Sequence, residues 1–163
     1  MNSRLKIFLI LLSVVSVVGV LFVYIGSNFK LIDFVANTME PTLKNNRKHL
    51  VKKIRNDKSV LTPDQVVAFK VIADELPYSE EVSHLGRIIA IENDEVEIRD
   101  GVVLRNGKML EEPYLHENSL KIGSVQKQKI PEGSVFIMYD NRNTVPPITR
   151  LISIKGIEGV LVK

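Results

Sequence analysis

The chain begins with an uninterrupted apolar stretch and continues with short segments in which apolar and polar residues alternate. Residues 7–26 carry no charge, and only Ser13, Ser16 and Tyr24 have polar atoms in their side chains. As a helix rising about 1.5 Å per residue, this stretch spans roughly 30 Å, the thickness of the hydrocarbon core of a bilayer. The pattern therefore predicts one transmembrane helix over residues 7–26.

A cleaved leader peptide is the competing interpretation of this stretch. The apolar region of such a leader is usually only about 7–15 residues long and ends at a small-x-small cleavage site. Here the stretch is longer, and Tyr24 or Ile25 would occupy the inner small position of that site. Both features favour the membrane anchor.

The charges that flank the helix predict its orientation. Arg4, Lys6 and the terminal amine precede it, whereas Lys30 and Asp33 balance each other after it. An excess of positive charge before the helix favours a cytoplasmic N-terminus. We therefore expect residues 1–6 in the cytoplasm, residues 7–26 in the cell membrane, and residues 27–163 as one domain on the outer side.

Beyond the helix, short segments rich in Val and Ile are separated by turn residues. Asn106-Gly107 has the composition of a two-residue hairpin turn, and the acidic segment 73–83 predicts a loop or a short helical turn. The pattern predicts an all-β domain of short antiparallel strands. Nine strands are expected, at residues 49–54, 65–71, 87–91, 96–99, 102–105, 125–130, 135–139, 151–154 and 160–162.

Composition narrows the chemistry that this domain can perform. The chain has no cysteine, which excludes a disulfide framework, a thiolate nucleophile and a cysteine metal site. His49, His84 and His116 are not spaced as metal ligands, so we expect no metal and no cofactor. Apart from Arg4 and Lys6, 20 basic residues face 19 acidic ones, and a net charge of +1 gives no indication of a nucleic-acid partner.

Four segments carry motifs in a recognisable order. The first is Thr38-Met39-Glu40-Pro41-Thr42-Leu43, the second is PDQVVAF at residues 63–69, and the third is GRIIAIENDEV at residues 86–96. The fourth runs from IPEG at residues 130–133 through YDNRN at residues 139–143 to Thr149-Arg150. Together they resemble the type I signal peptidase family, whose members are membrane-bound serine proteases that cut leader peptides from exported proteins. The resemblance covers almost the whole chain.

The resemblance implies a signal-peptidase-like β domain and a catalytic dyad of serine and lysine. In such a dyad the serine hydroxyl attacks the scissile carbonyl, and a lysine made neutral by burial accepts its proton. Here the nucleophile position holds Thr38 and the base position holds Gly86. Because glycine has no group that accepts a proton, the resemblance implies a degenerate and inactive member. Losing one catalytic group typically lowers turnover by about 10⁴ to 10⁶.

Other residues are alternative bases or supporting residues. His84 lies two residues before Gly86, on the same face of a strand and roughly 6–7 Å away. Some relatives of the family use histidine as base, but His84 is better explained as an ordinary surface or loop histidine beside Glu80 and Glu81. Lys52 and Lys53 are further alternatives, although a solvated strand face accounts for both. The resemblance places Asp140, Arg142 and Arg150 in the scaffold near the site, and Thr144-Val145-Pro146-Pro147 lacks the family's supporting serine.

The resemblance also implies a groove that holds a peptide as an extended strand beside the nucleophile. Its candidate residues are Ile32, Phe34, Met39 and Ile88, of which Ile32 and Phe34 alternate around Asp33 and so share a face. Strand addition to a sheet edge needs no catalyst. Inactive relatives occur beside pilin and sortase genes in Gram-positive bacteria. The leading hypothesis is therefore a non-proteolytic binding or chaperone factor for an exported protein or pilin, with a sortase as a further partner.

Two other functions stay open at this point. An active signal peptidase, a serine-type endopeptidase, would use Thr38 as its nucleophile. A purely structural domain that faces the cell wall would need neither a groove nor a catalyst. The sequence does not indicate an oligomeric state.

Overall fold

The computed structural model describes residues 2–54, 60–70, 83–116, 119–120, 122–143 and 149–162, without the side chains of Thr149 and Arg150. Its first element is a helix, α1 (Ser3–Asn28), which has no buried residue and is long and apolar enough to cross a membrane. The helix extends past the predicted span at both ends. At its C-terminus, Ser27 and Asn28 both donate side-chain hydrogen bonds to the carbonyl of Tyr24, which satisfies part of the last turn.

The rest of the described chain is built mainly of short antiparallel strands, and the predicted all-β fold class is confirmed. The pattern missed β1 and β7, and β4 begins four residues earlier than predicted. Residues 73–82 of the predicted loop and the strand end at residue 71 lie outside the described residues, and the last residue of that loop, Ser83, begins β4. The strands are β1 (Phe29–Phe34), β2 (Arg47–Lys53), β3 (Val66–Lys70), β4 (Ser83–Ala90), β5 (Glu95–Arg99), β6 (Val102–Arg105), β7 (Lys108–Met109), β8 (Val125–Lys129), β9 (Ser134–Met138), β10 (Thr149–Ser153) and β11 (Ile157–Leu161).

The strands form two sheets. The larger sheet has the order β1-β2-β11-β3-β4-β9-β10, and the smaller one has the order β7-β6-β5-β8. β1 contacts β4 although three strands separate them in the larger sheet, so this sheet curls around its own core. A second core lies between the two sheets, where Phe136 and Met138 pack with Val96 and Ile98.

β4 takes part in both cores because its register against β9 shifts between Ile88 and Ala90. Ile88 belongs to the core of the larger sheet, whereas Ile89 and Ala90 belong to the core between the sheets. A bulge of this kind changes which face a side chain occupies without ending the strand. β4 therefore joins the two halves of the domain.

Local turn chemistry explains how the smaller sheet folds back. Asn106 and Gly107 have φ angles of 53° and 75° and connect β6 to β7, in which Arg105 pairs with Lys108. Two consecutive positive φ angles are what a tight hairpin turn requires, and Asn-Gly adopts them at low cost. The hairpin signal in the sequence corresponds to this turn.

Polar contacts tie α1 and β1 to the rest of the domain. Lys53 Nζ donates to the carbonyl of Gly26 at 2.8 Å, and Lys30 Nζ lies 2.6 Å from Glu158 Oε1. Ser83 donates to the other oxygen of Glu158 at 2.5 Å. Burial raises the pKa of Glu158, but the hydrogen bonds from Lys30 and Ser83 outweigh burial and hold this pKa below its usual value. This carboxylate therefore links β1, β4 and β11.

Candidate functional site

Thr38 lies in a turn at residues 37–43 that follows β1. The turn is held by Asn141, whose backbone N–H donates to the carbonyl of Thr38 at 2.9 Å and whose side-chain amide donates to the carbonyl of Asn37 at 2.8 Å. Within the turn, the N–H of Leu43 donates to the carbonyl of Met39. The half-buried Thr38 is thus fixed through its backbone against the loop that follows β9.

Gly86 lies in β4, directly opposite Val67 of β3. A Cβ atom at residue 86 would stand 2.5 Å from Ile137 Cγ2 and 3.0 Å from Phe69 Cε1. Real Cβ atoms essentially never show the first of these contacts and rarely show the second, so a side chain at residue 86 would require Ile137 to shift. The predicted base position is therefore vacant chemically and closed sterically.

His84 lies beside this closed position. It pairs with Phe69 in the register of β3 and β4, and its ring stacks on Phe69 at a centroid distance of 5.8 Å. The Nδ1 atom of His84 is 3.1 Å from the hydroxyl of Tyr139. Tyr139 is only two residues before Asn141, the residue that holds the Thr38 turn. The segment 139–141 therefore bridges His84 and Thr38, and the role of His84 as a base stays a prediction.

The other alternative bases lie elsewhere. Lys53 donates to the carbonyl of Gly26 at the end of α1, and Lys52 is exposed on the strand that Lys53 ends. Glu80 and Glu81, the proposed neighbours of His84, lie outside the described residues. The stretch from Thr144 to Pro147 is likewise outside them. Among the described residues, no group of three or more His, Asp or Glu side chains could hold a metal ion.

The groove candidates Ile32, Phe34, Met39 and Ile88 are all buried in the core of the larger sheet. Their side chains are therefore not exposed to a peptide in this structure, and whether these residues belong to a groove stays a prediction. The physical reason for their burial is the curl of the sheet, which brings β1 against β4 and turns the apolar side chains of both strands inward. What β1 leaves available is its outer backbone edge, since its strand neighbour in the described part of the chain is β2.

A buried ion pair lies next to the Thr38 turn. Arg87 donates through Nε and Nη2 to the two carboxylate oxygens of Asp140, at 2.8 and 2.5 Å. Thr42 donates to the same carboxylate at 2.5 Å, and Arg87 Nη1 donates to the backbone carbonyl of Asp64. These contacts connect β4, the Thr38 turn, the loop after β9 and the turn before β3. A two-pronged arrangement of this kind is both strong and directional.

A second pair extends this network. The ring of Tyr114 lies over the guanidinium of Arg87 at 4.0 Å, and its hydroxyl donates to Glu112 at 2.8 Å. Arg142 donates to the same oxygen of Glu112, while its Nε atom is buried without a partner in the described structure. Asp140 and Arg142 therefore belong to one network beside the Thr38 turn, and their role as scaffold stays a prediction. Arg150 lies opposite Ile137 in β10, and its side chain is not described.

In this network the guanidinium of Arg87 stays charged and the phenol of Tyr114 stays neutral. Burial alone would lower the pKa of Arg87, but the hydrogen bond and the charge of Asp140 raise it above its ordinary value. Burial, together with the negative charge of Glu112, raises the pKa of Tyr114 far above its ordinary value, so this phenol stays neutral. No role was assigned from the sequence to Arg87, Thr42, Glu112 or Tyr114. Thr42 and Arg87 lie within the first and third motifs, and Glu112 and Tyr114 belong to the segment 112–115, between the third and fourth motifs, which also resembles the family.

A cavity of about 590 Å³ lies beside the ion pair, and Arg87 and Thr42 form part of its lining. Its lining includes Leu43, His49, Gln65 and Tyr114 but neither Thr38 nor Gly86. It is large enough for a small ligand. The closed position beside Gly86 and this open space are therefore separate features of the domain.

Comparisons with known proteins show what this chain is similar to. Residues 6–144 match a model of the family described as signal peptidase, peptidase S26. The chain is 31% identical over 117 residues to a probable signal peptidase I-2 of Synechocystis sp., covering 66% of this chain and 49% of that protein. It is 24% identical over 140 residues to a signal peptidase I of Bacillus caldolyticus, covering 78% and 71% of the two chains.

A solved structure shows the same fold. The crystal structure of a signal peptidase I from Enterococcus faecalis matches with a TM-score of 0.50 and 22% identity, covering 63% of this chain and 97% of that one. The chain spans 37% of a Bacillus licheniformis signal peptidase I, to which it is 36% identical over 69 residues. It therefore spans half or less of the length of two of these curated relatives.

The buried pair makes a prediction about stability. Asp140→Asn keeps the shape of the side chain but leaves the guanidinium of Arg87 buried without its counter-charge. We expect a loss of about 3 kcal/mol in the free energy of unfolding, as is typical when one partner of a buried pair is removed. Urea unfolding of the detergent-solubilised chain, followed by circular dichroism, measures this loss.

Asp33→Asn is the matched control for this prediction. Asp33 and Lys48 form an exposed pair with a separation of 3.6 Å, and such pairs contribute only about 0–1 kcal/mol. Equal losses in the two variants would contradict the role assigned to the buried pair.

The closed position at Gly86 makes a second prediction. Gly86→Ala forces a methyl group against Ile137, and overpacking of a core typically costs about 1–3 kcal/mol. Gly123→Ala is the matched control, because a Cβ atom there meets nothing within 4 Å. Adding Ile137→Ala to Gly86→Ala should cost less than the sum of the two single changes, since it removes the atom that collides. Strict additivity in urea unfolding would count against this packing.

Proposed function

Because the chain belongs to the signal peptidase family, peptidase S26, we propose that it is a member of that family that binds exported polypeptides without cutting them. In this proposal it acts as a pseudoenzyme at the outer face of the cell membrane of a Gram-positive bacterium. Its partner is an exported surface protein or a pilin, with a sortase as a further partner. It contributes to the assembly of surface structures as a binding or chaperone factor.

One observation carries the proposal. The position that the family resemblance assigns to the base is a glycine, and Ile137 and Phe69 fill the space beside it. A dyad needs an acceptor for the proton of the nucleophile, and its absence typically costs about 10⁴ to 10⁶ in turnover. A packed core cannot supply such an acceptor. The glycine at the base position and the core side chains packed against it therefore both favour a non-cutting protein.

The scaffold around the site supports a retained binding function. Asn141 still holds the Thr38 turn, and Asp140 still holds Arg87 and Thr42. The outer edge of β1 lies immediately before that turn. An extended peptide could add to this edge through backbone hydrogen bonds, which are the main source of affinity in strand addition. The apolar helix α1 would keep the edge close to polypeptides that emerge from the membrane.

A second candidate is an active endopeptidase with Thr38 as nucleophile and His84 as base. The observation that favours it is the bridge at residues 139–141, which contacts His84 through Tyr139 and Thr38 through Asn141. Against it, the methyl group of threonine crowds the attacking oxygen. His84 also has to exchange its contact with Tyr139 for one with Thr38.

A combined binding and cleavage assay distinguishes the two candidates. The full chain in detergent is incubated with a crosslinkable exported precursor that still carries its leader peptide, beside an active signal peptidase I as positive control. We expect crosslinks to the β1 segment and no cleavage above background, because no base is available. Thr38→Ala should leave both results unchanged. Cleavage after a small residue that disappears in Thr38→Ala and His84→Ala would establish the second candidate instead.

Restoring the dyad tests the steric closure directly. Thr38→Ser with Gly86→Lys should not restore cleavage, because the first atom of the new side chain collides with Ile137. Adding Ile137→Ala removes that collision and should improve folding of the triple variant over the double one. Leader cleavage by the double variant alone would show that the position is open after all. Thermal unfolding of both variants shows whether a negative result comes from misfolding.

A further inference from the structure

The cavity beside the Arg87–Asp140 pair takes no part in the function proposed above. Its volume of about 590 Å³ lies within the roughly 300–1,000 Å³ that is typical of small-molecule sites. The Thr38 turn, β2, β3, β4, the segment between β7 and β8, and the end of β11 all contribute to its lining. Part of the wall is apolar and continues the core of the larger sheet, as it includes Leu43, Val66 and Leu161. The cavity therefore offers an apolar surface to a small molecule.

The charged groups around the cavity are arranged asymmetrically. Arg87 belongs to the lining, whereas Asp140 does not and is only 1% exposed. None of the described residues that line the cavity is acidic. The buried ion pair therefore presents its positive side to the cavity. An anionic group of a ligand is favoured at that side over a cationic one.

The guanidinium of Arg87 keeps one hydrogen-bond donor in reserve. A guanidinium has five N–H groups. Two of them donate to Asp140, a third reaches the hydroxyl of Thr42 at 3.4 Å, and a fourth donates to the carbonyl of Asp64. One N–H on Nη1 is therefore left without a partner among the described residues.

Two more polar side chains of the lining can bind a ligand. Gln65 accepts from the N–H of Thr62 through Oε1 at 3.0 Å, which leaves its amide N–H groups as donors. His49 lines the same cavity, and its Nε2 atom is buried without a partner in the described structure. A buried polar atom without a hydrogen bond costs free energy. This wall is therefore more favourable when a bound molecule supplies a partner.

We propose that the cavity binds a small carboxylic acid with an apolar or aromatic body. The carboxylate accepts from the amide of Gln65 and from Arg87, and hydrogen bonds to an ionised acceptor are stronger than those to a neutral one. The body of the acid packs against Leu43, Val66 and the ring of Tyr114. The inference does not depend on whether the chain cuts or binds polypeptides at the Thr38 turn.

Photocrosslinking of the full-length chain in nanodiscs tests this site. The probe is 4-benzoylbenzoic acid, and 4-benzoylbenzamide is the neutral control of nearly the same shape. We expect the acid to crosslink to lining segments, near residues 42–43, 65–66 and 160–162, with a yield several-fold above that of the amide. Mass spectrometry of the digested chain locates the crosslinks. The ionised acid enters lipid less readily than the amide, so partition into the disc cannot produce this preference.

A single charge in the lining separates recognition of the carboxylate from apolar binding. Gln65→Glu keeps the acceptor for Thr62 but adds a negative charge, and we expect it to lower the yield of the acid several-fold without changing that of the amide. Gln126→Glu, exposed on β8, is the matched control and should change neither. Val162→Trp adds bulk to the lining at a 42% exposed position and should lower the yield of both probes. Circular dichroism verifies that each variant is folded.

Three results would overturn the proposal. Equal yields for the acid and the amide in the unaltered chain would show that the cavity does not recognise a carboxylate. Crosslinks spread over α1 and exposed strands would show that the probe binds without a site. Equal losses in Gln65→Glu and Gln126→Glu would show that the net charge of the chain, and not the lining of the cavity, determines binding.

Discussion

The ion pair between Arg87 and Asp140 is the interaction on which the arrangement of the site depends. It is buried, and its two hydrogen bonds run from β4 to the loop that follows β9. Thr42 adds the turn that contains Thr38, and Tyr114 adds the segment between β7 and β8 of the smaller sheet. Burying a charge is costly unless its partners are complete, so each of these elements has only one arrangement that satisfies the others. The position of Thr38 is a consequence of this network.

The same framework holds the site in shape without any contribution from the side chains at the two dyad positions. Signal peptidase membership is carried by motifs that include Asp140, Arg142 and Arg87, and these residues form the network. The dyad positions contribute nothing to it. Gly86 instead contributes to packing, because Ile137 and Phe69 occupy the space that a side chain would need. A binding function would require the framework and the edge of β1, but it would not require a base.

A short connection joins the helix that is apolar enough to cross a membrane to the larger sheet. α1 passes into β1 without a linker, and Lys53 and Lys30 tie this junction to β2 and β11. Each sheet residue near the junction is therefore constrained by the helix as well as by its strand partners.

The sequence by itself determined the features that depend on neighbouring residues. The apolar stretch at residues 7–26 is sufficient for α1, the Val- and Ile-rich segments are sufficient for most strands, and Asn106-Gly107 is sufficient for its hairpin. The sequence alone also shows that residue 86 cannot act as a base, because glycine has no side chain that could accept a proton in any fold. Only the tertiary structure decided that Ile32 and Phe34 are core residues, since the curl of the sheet brings β1 to β4. It also decided that Ile137 closes the space beside Gly86 and that Arg87 pairs with Asp140. These contacts join strands that are distant in sequence, and local patterns do not record which strands become neighbours.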